Sequence, residues 1–313
     1  MEAIMDARPN EIALIVPTLN PGGEWSNWLQ AFSAQSMHPG HVLVIDSSSD
    51  DDTARLSRDA GAEVHVIPRA QFGHGQTRQL GVQSVPEASI VVFLTQDAVL
   101  AHPEALENLM ASFEDAEVGA AYGRQLPRRD ANPIEAHARL FNYPEMSRVK
   151  SLGDAPELGV KTTFISNSFA AYRRSALLEV GGFPSSTILC EDTYVAAKML
   201  LRGWKVAYCA DAMVFHSHGY GVVNEFKRYF DLGVFYGRES WIRQNFGRTE
   251  GEGMRYVRSE LRYLMKRSPL LIPSAILRTV LKLAGYKLGA AERRLPVWLK
   301  RLMGTNPGYW DAA

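Results

Sequence analysis

Four short apolar runs, at residues 12–17, 42–45, 64–67 and 90–94, alternate with stretches of helical spacing, and this constrains the fold more than any other feature. Runs of that length that are apolar throughout suit strands covered on both faces. Joining such strands in the same direction requires crossovers of a dozen or more residues, usually helical. The pattern therefore predicts a largely parallel α/β sheet with helices over 25–36, 53–60 and 77–85, and a fourth opened by Pro103 and running to 113. Residues 124–159, with scattered Pro, Arg and Asp, read as a loop carrying substrate contacts. Regular signals return with an extended stretch at 164–173, a helix at 175–180, a Gly181-Gly182 turn, a helix at 193–202 and a strand at 206–209. Beyond Asn224 the chain reads as helical, with aromatic and basic residues and no internal repeat.

In open sheets of this kind ligands bind beyond the carboxyl ends of the strands. Three ends are polar: Pro17-Thr18-Leu19-Asn20, Asp46-Ser47-Ser48-Ser49 and Thr95-Gln96-Asp97-Ala98. A carboxylate at the position of Asp46 can accept an N–H from a pyrimidine base, whereas Asp50 and Asp51 are better placed to cap the following helix. Asp97 offers the hard oxygen ligand that a divalent cation bridging phosphates needs. In His74-Gly75-Gln76-Thr77-Arg78, glycine admits close backbone approach and Arg78 can pair with a phosphate through two bonds.

Composition narrows the class. The 313 residues carry 34 Lys and Arg against 34 Asp and Glu, which argues against broad polyanion binding and makes nucleic acid a poor partner. The two cysteines, Cys190 and Cys209, lack zinc-like spacing and point to a reducing compartment. The first ten residues are polar and read unlike a leader, and no apolar run reaches the ~18 residues of a membrane span. A cytoplasmic protein is expected. Between Lys266 and Met303, however, basic residues outnumber the single acid Glu292, and Leu270, Leu271, Ile272, Ile276, Leu277, Val280, Leu281 and Ala284 follow helical spacing. Such a segment suits an interfacial helix on the inner face of the cytoplasmic membrane, and equally a helix packed on the catalytic domain or on a second copy in a homo-oligomer.

Taken in order, residues 15–20, 44–53, 93–98, Val180-Gly181-Gly182-Phe183 and Glu191-Asp192 resemble a family 2 glycosyltransferase over roughly residues 10–220. The resemblance is nearest to bacterial rhamnosyltransferases, which similarly show Thr-Gln-Asp after the fourth strand and a segment like His74–Arg78. It implies a GT-A-type, Rossmann-like mainly parallel sheet flanked by helices, with a nucleotide-sugar half at 10–123, an acceptor half at 124–222 and a helical C-terminal arm at 223–313. Pro17, Thr18, Asn20, Asp46, Arg78, Thr95, Gln96 and Asp97 would bind the nucleotide sugar. Asp192 would be the general base, ionised at neutral pH, with Glu191 its nearest rival. Asn167, Arg173 and Glu191 would shape the acceptor and sugar site. Asp97 with His216 or His218 would hold Mn²⁺ or Mg²⁺.

The family's usual D-x-D is reduced here to Thr95-Gln96-Asp97, so the acid that meets a ribose in relatives is missing. That is compatible with a dTDP-sugar, and the expected reaction is inverting transfer of L-rhamnose from dTDP-L-rhamnose to a cell-surface glycan of lipopolysaccharide core or O-antigen type, including one that is lipid-linked. A UDP-hexose or UDP-N-acetylhexosamine transferase is the alternative within the class. A sugar-phosphate nucleotidyltransferase would want a basic Gly-rich loop after the first strand, and residues 17–23 contain no Lys or Arg. A noncatalytic glycan-binding protein would have little need of both Asp97 and Asp192.

Overall fold

The computed structural model describes residues 9–217, 219–247 and 251–311. Among these the strands are β1 (Ile12–Thr18), β2 (His41–Asp46), β3 (Glu63–Val66), β4 (Ile90–Leu94), β5 (Val99–Leu100), β6 (Val118–Leu126), β7 (Arg148–Lys150), β8 (Phe169–Arg173) and β9 (Lys205–Phe215). The helices of the first part are α1 (Glu24–Ser33), α2 (Thr53–Asp59), α3 (His74–Ser84), α4 (Ala105–Ala111), α5 (Pro133–Asn142), α6 (Ala155–Leu158), α7 (Arg174–Glu179) and α8 (Glu191–Leu201). The last part holds α9 (Val222–Arg238), α10 (Ser240–Phe246), α11 (Glu252–Arg267), α12 (Ile272–Ala290) and α13 (Val297–Met303).

The sheet runs β3-β2-β1-β4-β8-β6-β9-β5, with β7 added on β9. Strands β1 to β4, β6 and β9 share one direction, while β8 runs against its neighbours β4 and β6. The apolar runs of β1 and β4 are two-sided, as their composition requires, whereas β3 at the sheet edge is half-exposed, contrary to the expectation for residues 64–67. In β1, Ala13 and Ile15 face one core and Ile12, Leu14 and Val16 the other. On the second side Trp25 and Trp28 of α1 stack 4.6 Å apart, fully buried. Both indoles find acceptors: Trp25 Nε1 donates to Ser57 Oγ and Trp28 Nε1 to the Thr95 carbonyl. Losing such a side chain from a core costs about 3–5 kcal/mol. Here Trp28 also pins the segment that carries Asp97. On the first side the core continues into the C-terminal region through Phe230, Val234, Phe235, Ile242, Phe246 and Trp310.

The stretch expected to be loop at 124–159 is more ordered than its composition indicates. It contains the end of β6 and α5, whose start is set by Asn132: its side chain accepts from the N–H groups of Ile134 and Glu135, and Pro133 follows as the first helical residue. Helix α3 begins at His74 rather than at 77, and β9 continues through a register shift to Phe215. The extended run expected from 164 becomes a strand only at Phe169, being preceded by a 3-10 turn at Gly159–Thr163.

Candidate active site

The crevice at the carboxyl ends of the parallel strands is framed by three tightly bonded loops. Asp46, at the end of β2, is buried and accepts from Thr18 Oγ1 at 3.0 Å, from the Ser49 N–H at 2.8 Å and from Ser49 Oγ at 2.6 Å. A carboxylate offers about four lone-pair positions, so three are occupied internally and one is left for a ligand N–H. Asn20 ties the same loops: its Oδ1 accepts from the Asp50 N–H at 2.7 Å and its own N–H donates to Ser49 Oγ at 2.9 Å. Asn20 and Ser48 sit in the left-handed region, at φ 46° and 58°. Pro17 lies within β1, opposite Ile45.

Gln96 departs from the role expected of it. Its Oε1 accepts from the Leu19 N–H at 2.7 Å and its Nε2 donates to the Leu19 carbonyl at 3.1 Å. The amide is thus used as a backbone-like clasp between the loops after β1 and β4, and it fixes the crevice floor instead of reaching a nucleotide. Thr95 is equally structural through its main chain, accepting from Trp28 and donating to Ser168 O.

Asp97 and His216 meet across the sheet although they are 119 residues apart, with Asp97 Oδ2 3.3 Å from His216 Nε2. The other ring nitrogen, Nδ1, faces Gln125 Oε1 at 2.9 Å, and Gln125 Nε2 donates to Ser166 Oγ. Because Oε1 only accepts, Nδ1 must carry the hydrogen, and in the neutral ring the Nε2 lone pair points toward the Asp97 carboxylate. Burial is the main influence on His216 and holds it below the ordinary imidazole range, against the pull of Asp97. A neutral ring nitrogen opposed to a carboxylate oxygen, with the ring fixed from behind by Gln125, is a donor set suited to a divalent cation whose remaining ligands come from phosphate oxygens. No group of three or more His, Cys, Asp or Glu is gathered for a metal among the described residues. His218 lies outside the described residues. Arg128 braces the acidic side, donating to the Asp97 carbonyl at 3.1 Å and forming a two-pronged pair with Glu24.

The second carboxylate centre stands at the start of α8. Cys190, in the left-handed region at φ 59°, turns the chain so that Glu191 and Asp192 are the first two helical residues, where backbone N–H groups are free. Asp192 Oδ1 accepts from the Thr193 N–H at 2.6 Å and Oδ2 from the Asn167 N–H at 3.2 Å. Glu191 points inward to Arg78, 3.1 Å away, and both side chains are under a tenth exposed. Asn167 joins the two acids, donating from Nδ2 to Glu191 Oε1 at 3.0 Å while its Oδ1 accepts from Tyr172 Oη at 2.7 Å. Burial pushes both acids up. For Glu191 the Arg78 and His74 charges and the Asn167 bond outweigh it, so Glu191 stays below the usual carboxylate range. For Asp192 burial and then the Glu191 charge dominate, and it is pushed up to about 7. Asp192 is therefore held more readily protonated than the fully ionised carboxylate expected from the sequence.

Two arginines stand elsewhere than expected. Arg78 is buried within α3, its guanidinium taken up by Glu191 and by the His74 carbonyl at 3.0 Å, so it orders the acid pair instead of facing a diphosphate. Gly75 allows that packing, since a Cβ there would lie 1.8 Å from the Pro184 carbonyl oxygen. Arg173 ends the reversed strand β8 and so lies beside Ile90, at the opposite edge of the sheet from the crevice. It clamps the carbonyls of Val118, Phe113 and Asp115 and touches no part of the site. Asn167, six residues earlier and two before the strand begins, is on the crevice side.

Arg228 in α9 was not signalled by spacing or motif. It is solvent-exposed, lies 5.8 Å from the Tyr220 ring, and its charge reaches Asp192 and His74. It is a cation whose field is felt at Asp192.

A mainly parallel sheet with one reversed central strand, with Asp97 after β4 meeting His216 after β9 and Asp192 at the start of α8, defines a glycosyltransferase of the GT-A type. The chain belongs to the glycosyltransferase family 2 group: the family model described as "Glycosyltransferase like family 2" matches residues 9–232. It is 48% identical over 302 residues to an O-antigen chain rhamnosyltransferase of Salmonella typhimurium, covering 96% of each chain. A second O-antigen chain rhamnosyltransferase, from Salmonella anatum, is 47% identical over 299 residues, 95% of each chain. Among solved structures, the fold is similar to a mannosyltransferase of Pyrobaculum calidifontis in complex with GDP-Man and Mn²⁺, with a TM-score of 0.55 and 20% identity over 98% of this chain and 88% of that one. It is also similar to S. aureus TarS in complex with UDP-GlcNAc, with a TM-score of 0.54 and 15% identity over 91% of each.

Proposed function

We propose that this glycosyltransferase moves L-rhamnose from dTDP-L-rhamnose, with inversion, to an O-antigen glycan acceptor, working at the inner face of the cytoplasmic membrane on a lipid-linked chain. The rhamnosyl assignment is carried by near-end-to-end identity of about half the residues with two O-antigen chain rhamnosyltransferases. The choice of a dTDP donor is supported by Thr95, which stands where the first acid of D-x-D would and so brings no carboxylate toward a ribose hydroxyl. Asp46, with one lone-pair position left, and Thr18 beside it would read the pyrimidine base.

In the reaction Asp192 takes the proton of the acceptor hydroxyl as that oxygen attacks the anomeric carbon from the face opposite the nucleotide, and the bond to the diphosphate breaks. Both Asp192 oxygens are held by backbone N–H groups, so the base is aimed before the acceptor arrives. Asp97 and His216 would hold Mn²⁺ or Mg²⁺, which when bound supplies positive charge to the departing diphosphate. Arg228 adds a second positive charge near Asp192. Glu191, Arg78, Asn167 and Tyr172 position the base and do not exchange protons with substrate.

The test is nucleoside-diphosphate release from a panel of dTDP- and UDP-sugars in the presence of an O-antigen acceptor extract and Mn²⁺ or Mg²⁺. Metal-dependent release from dTDP-rhamnose, abolished in Asp97→Ala and Asp192→Asn, is the expected result. Turnover with a UDP-sugar alone would overturn the donor and leave the class intact.

A further inference from the structure

Helix α12 is packed inside out. Its buried side is made of small residues: a Cβ on Gly289 would stand 1.9 Å from the Phe230 carbonyl oxygen of α9, and one on Gly285 2.5 Å from that of Phe226. Backbones brought this close leave no room between the helices for large side chains, and the bulky aliphatic residues are turned outward. Ile276, Leu277, Val280 and Leu283 are each more than half exposed, at helical spacing along one face. On α13, Trp298 and Leu302, one turn apart, are 66% and 61% exposed. An exposed aliphatic stripe of this kind marks an interaction site.

The charge around this face says what covers it. Between residues 266 and 303 the one acid, Glu292, is buried and neutralised by Arg238 at 3.0 Å and Lys300 at 2.6 Å. Lys287, Arg293 and Arg294 make no ion pair among the described residues. They line two adjoining clefts of about 500 and 440 Å³ that share Glu292 and Arg293 and lie between the end of α12 and the start of α13. A second copy of this face would set like charges against like, whereas an anionic bilayer complements both the aliphatic stripe and the cations. No described helix is long and apolar enough to cross a membrane.

We propose that the outer face of α12, with α13, docks on anionic phospholipid, the aliphatic stripe and Trp298 entering the interface while the Lys287, Arg293 and Arg294 cleft receives a headgroup phosphate. This gives a specific surface to the membrane location in the proposed function and rests on that reading only for its purpose. The experiment uses the full chain and vesicles without any glycan acceptor, so that failure of docking and failure of the rhamnosyl assignment read out separately. Wild type should sediment with phosphatidylcholine vesicles containing about 30% phosphatidylglycerol and stay in solution with phosphatidylcholine alone. R293E/R294E and, separately, I276E/V280E/L283E should each weaken binding by more than about tenfold with unchanged unfolding midpoint and unchanged release of nucleoside diphosphate to a water-soluble acceptor. Equal sedimentation with both vesicles, or binding indifferent to both sets of substitutions, would overturn the proposal. So would a wild-type dimer by light scattering that I276E/V280E/L283E converts to monomer, which would make a second copy the occupant.

Discussion

Replacing Glu191 by glutamine tests whether the paired carboxylates set the basicity of Asp192. Asp192 is raised from 3.8 to about 7, with burial the larger cause and the Glu191 charge the next. Removing that charge should lower Asp192 by on the order of one unit, or about 1.4 kcal/mol between its two protonation states. The base must be ionised to act, so the acid limb of kcat/KM should move down by about one pH unit. At pH 6 the ionised fraction of Asp192 rises from about a tenth to about a half, a gain of about fivefold relative to the variant's own plateau. The plateau itself should fall, because a weaker base transfers the proton less well and Arg78 loses its partner charge. The assay is nucleoside-diphosphate release across about pH 5.5–8.5 on protein checked for folding by thermal melts. An acid limb that stays in place or moves upward would refute the argument, since Glu191 would then not be the charge that Asp192 feels.

Other expectations follow from the same geometry. Asp97→Ala should lower metal-dependent turnover by about 100-fold or more, and His216→Ala should raise the metal concentration for half-maximal rate, both measured by titrating Mn²⁺. Asp192→Asn should abolish transfer yet raise the unfolding midpoint at pH 8. Asp192 has a folded-state pKa above its unfolded value, so its contribution is complete below about pH 4 and is lost as pH rises through about 7; the variant escapes that loss, and its advantage should shrink as pH falls toward 4. Arg173→Ala should lower stability by about 2–3 kcal/mol in denaturant titration, because three main-chain carbonyls lose a charged donor, while kcat/KM of the folded enzyme stays unchanged. A selective loss of sugar affinity there would contradict the placement of Arg173 at the far edge.

The parallel half of the sheet was legible because strands buried on both faces cannot avoid being continuously apolar, as Ile12–Val16 and Ile90–Leu94 are. Helix α5 was legible in principle, since Asn132-Pro133 is an N-terminal signal; the surrounding Arg and Asp residues hid it. The polar strand ends could be read as a crevice, but side-chain direction could not. Whether Gln96 faces a ligand or Leu19, and whether Arg78 faces a phosphate or Glu191, depends on which loop lies opposite, a property of the packed chain. Arg173 was misplaced for a related reason. A strand pattern does not carry its direction, and the reversal of β8 moved one end of Asn167–Arg173 away from the site. His216 was found from its position after a strand, yet its tautomer rests on Gln125, 91 residues earlier, which no motif singled out.

The reversed strand also orders events in time. A chain emerging from the ribosome completes β4 and β6 with a gap between them, for β8 lies between the two and is made later. The nucleotide-facing loops of β1, β2 and β4 can therefore form while the sheet still has open edges, and those edges remain liable to mispairing until β8 is inserted. Asn167 stands two residues before that strand, and Asp192 accepts from the Asn167 N–H. An immature chain can thus join Thr18 to Asp46 before it holds either the Asn167 contact of Asp192 or the His216 partner of Asp97.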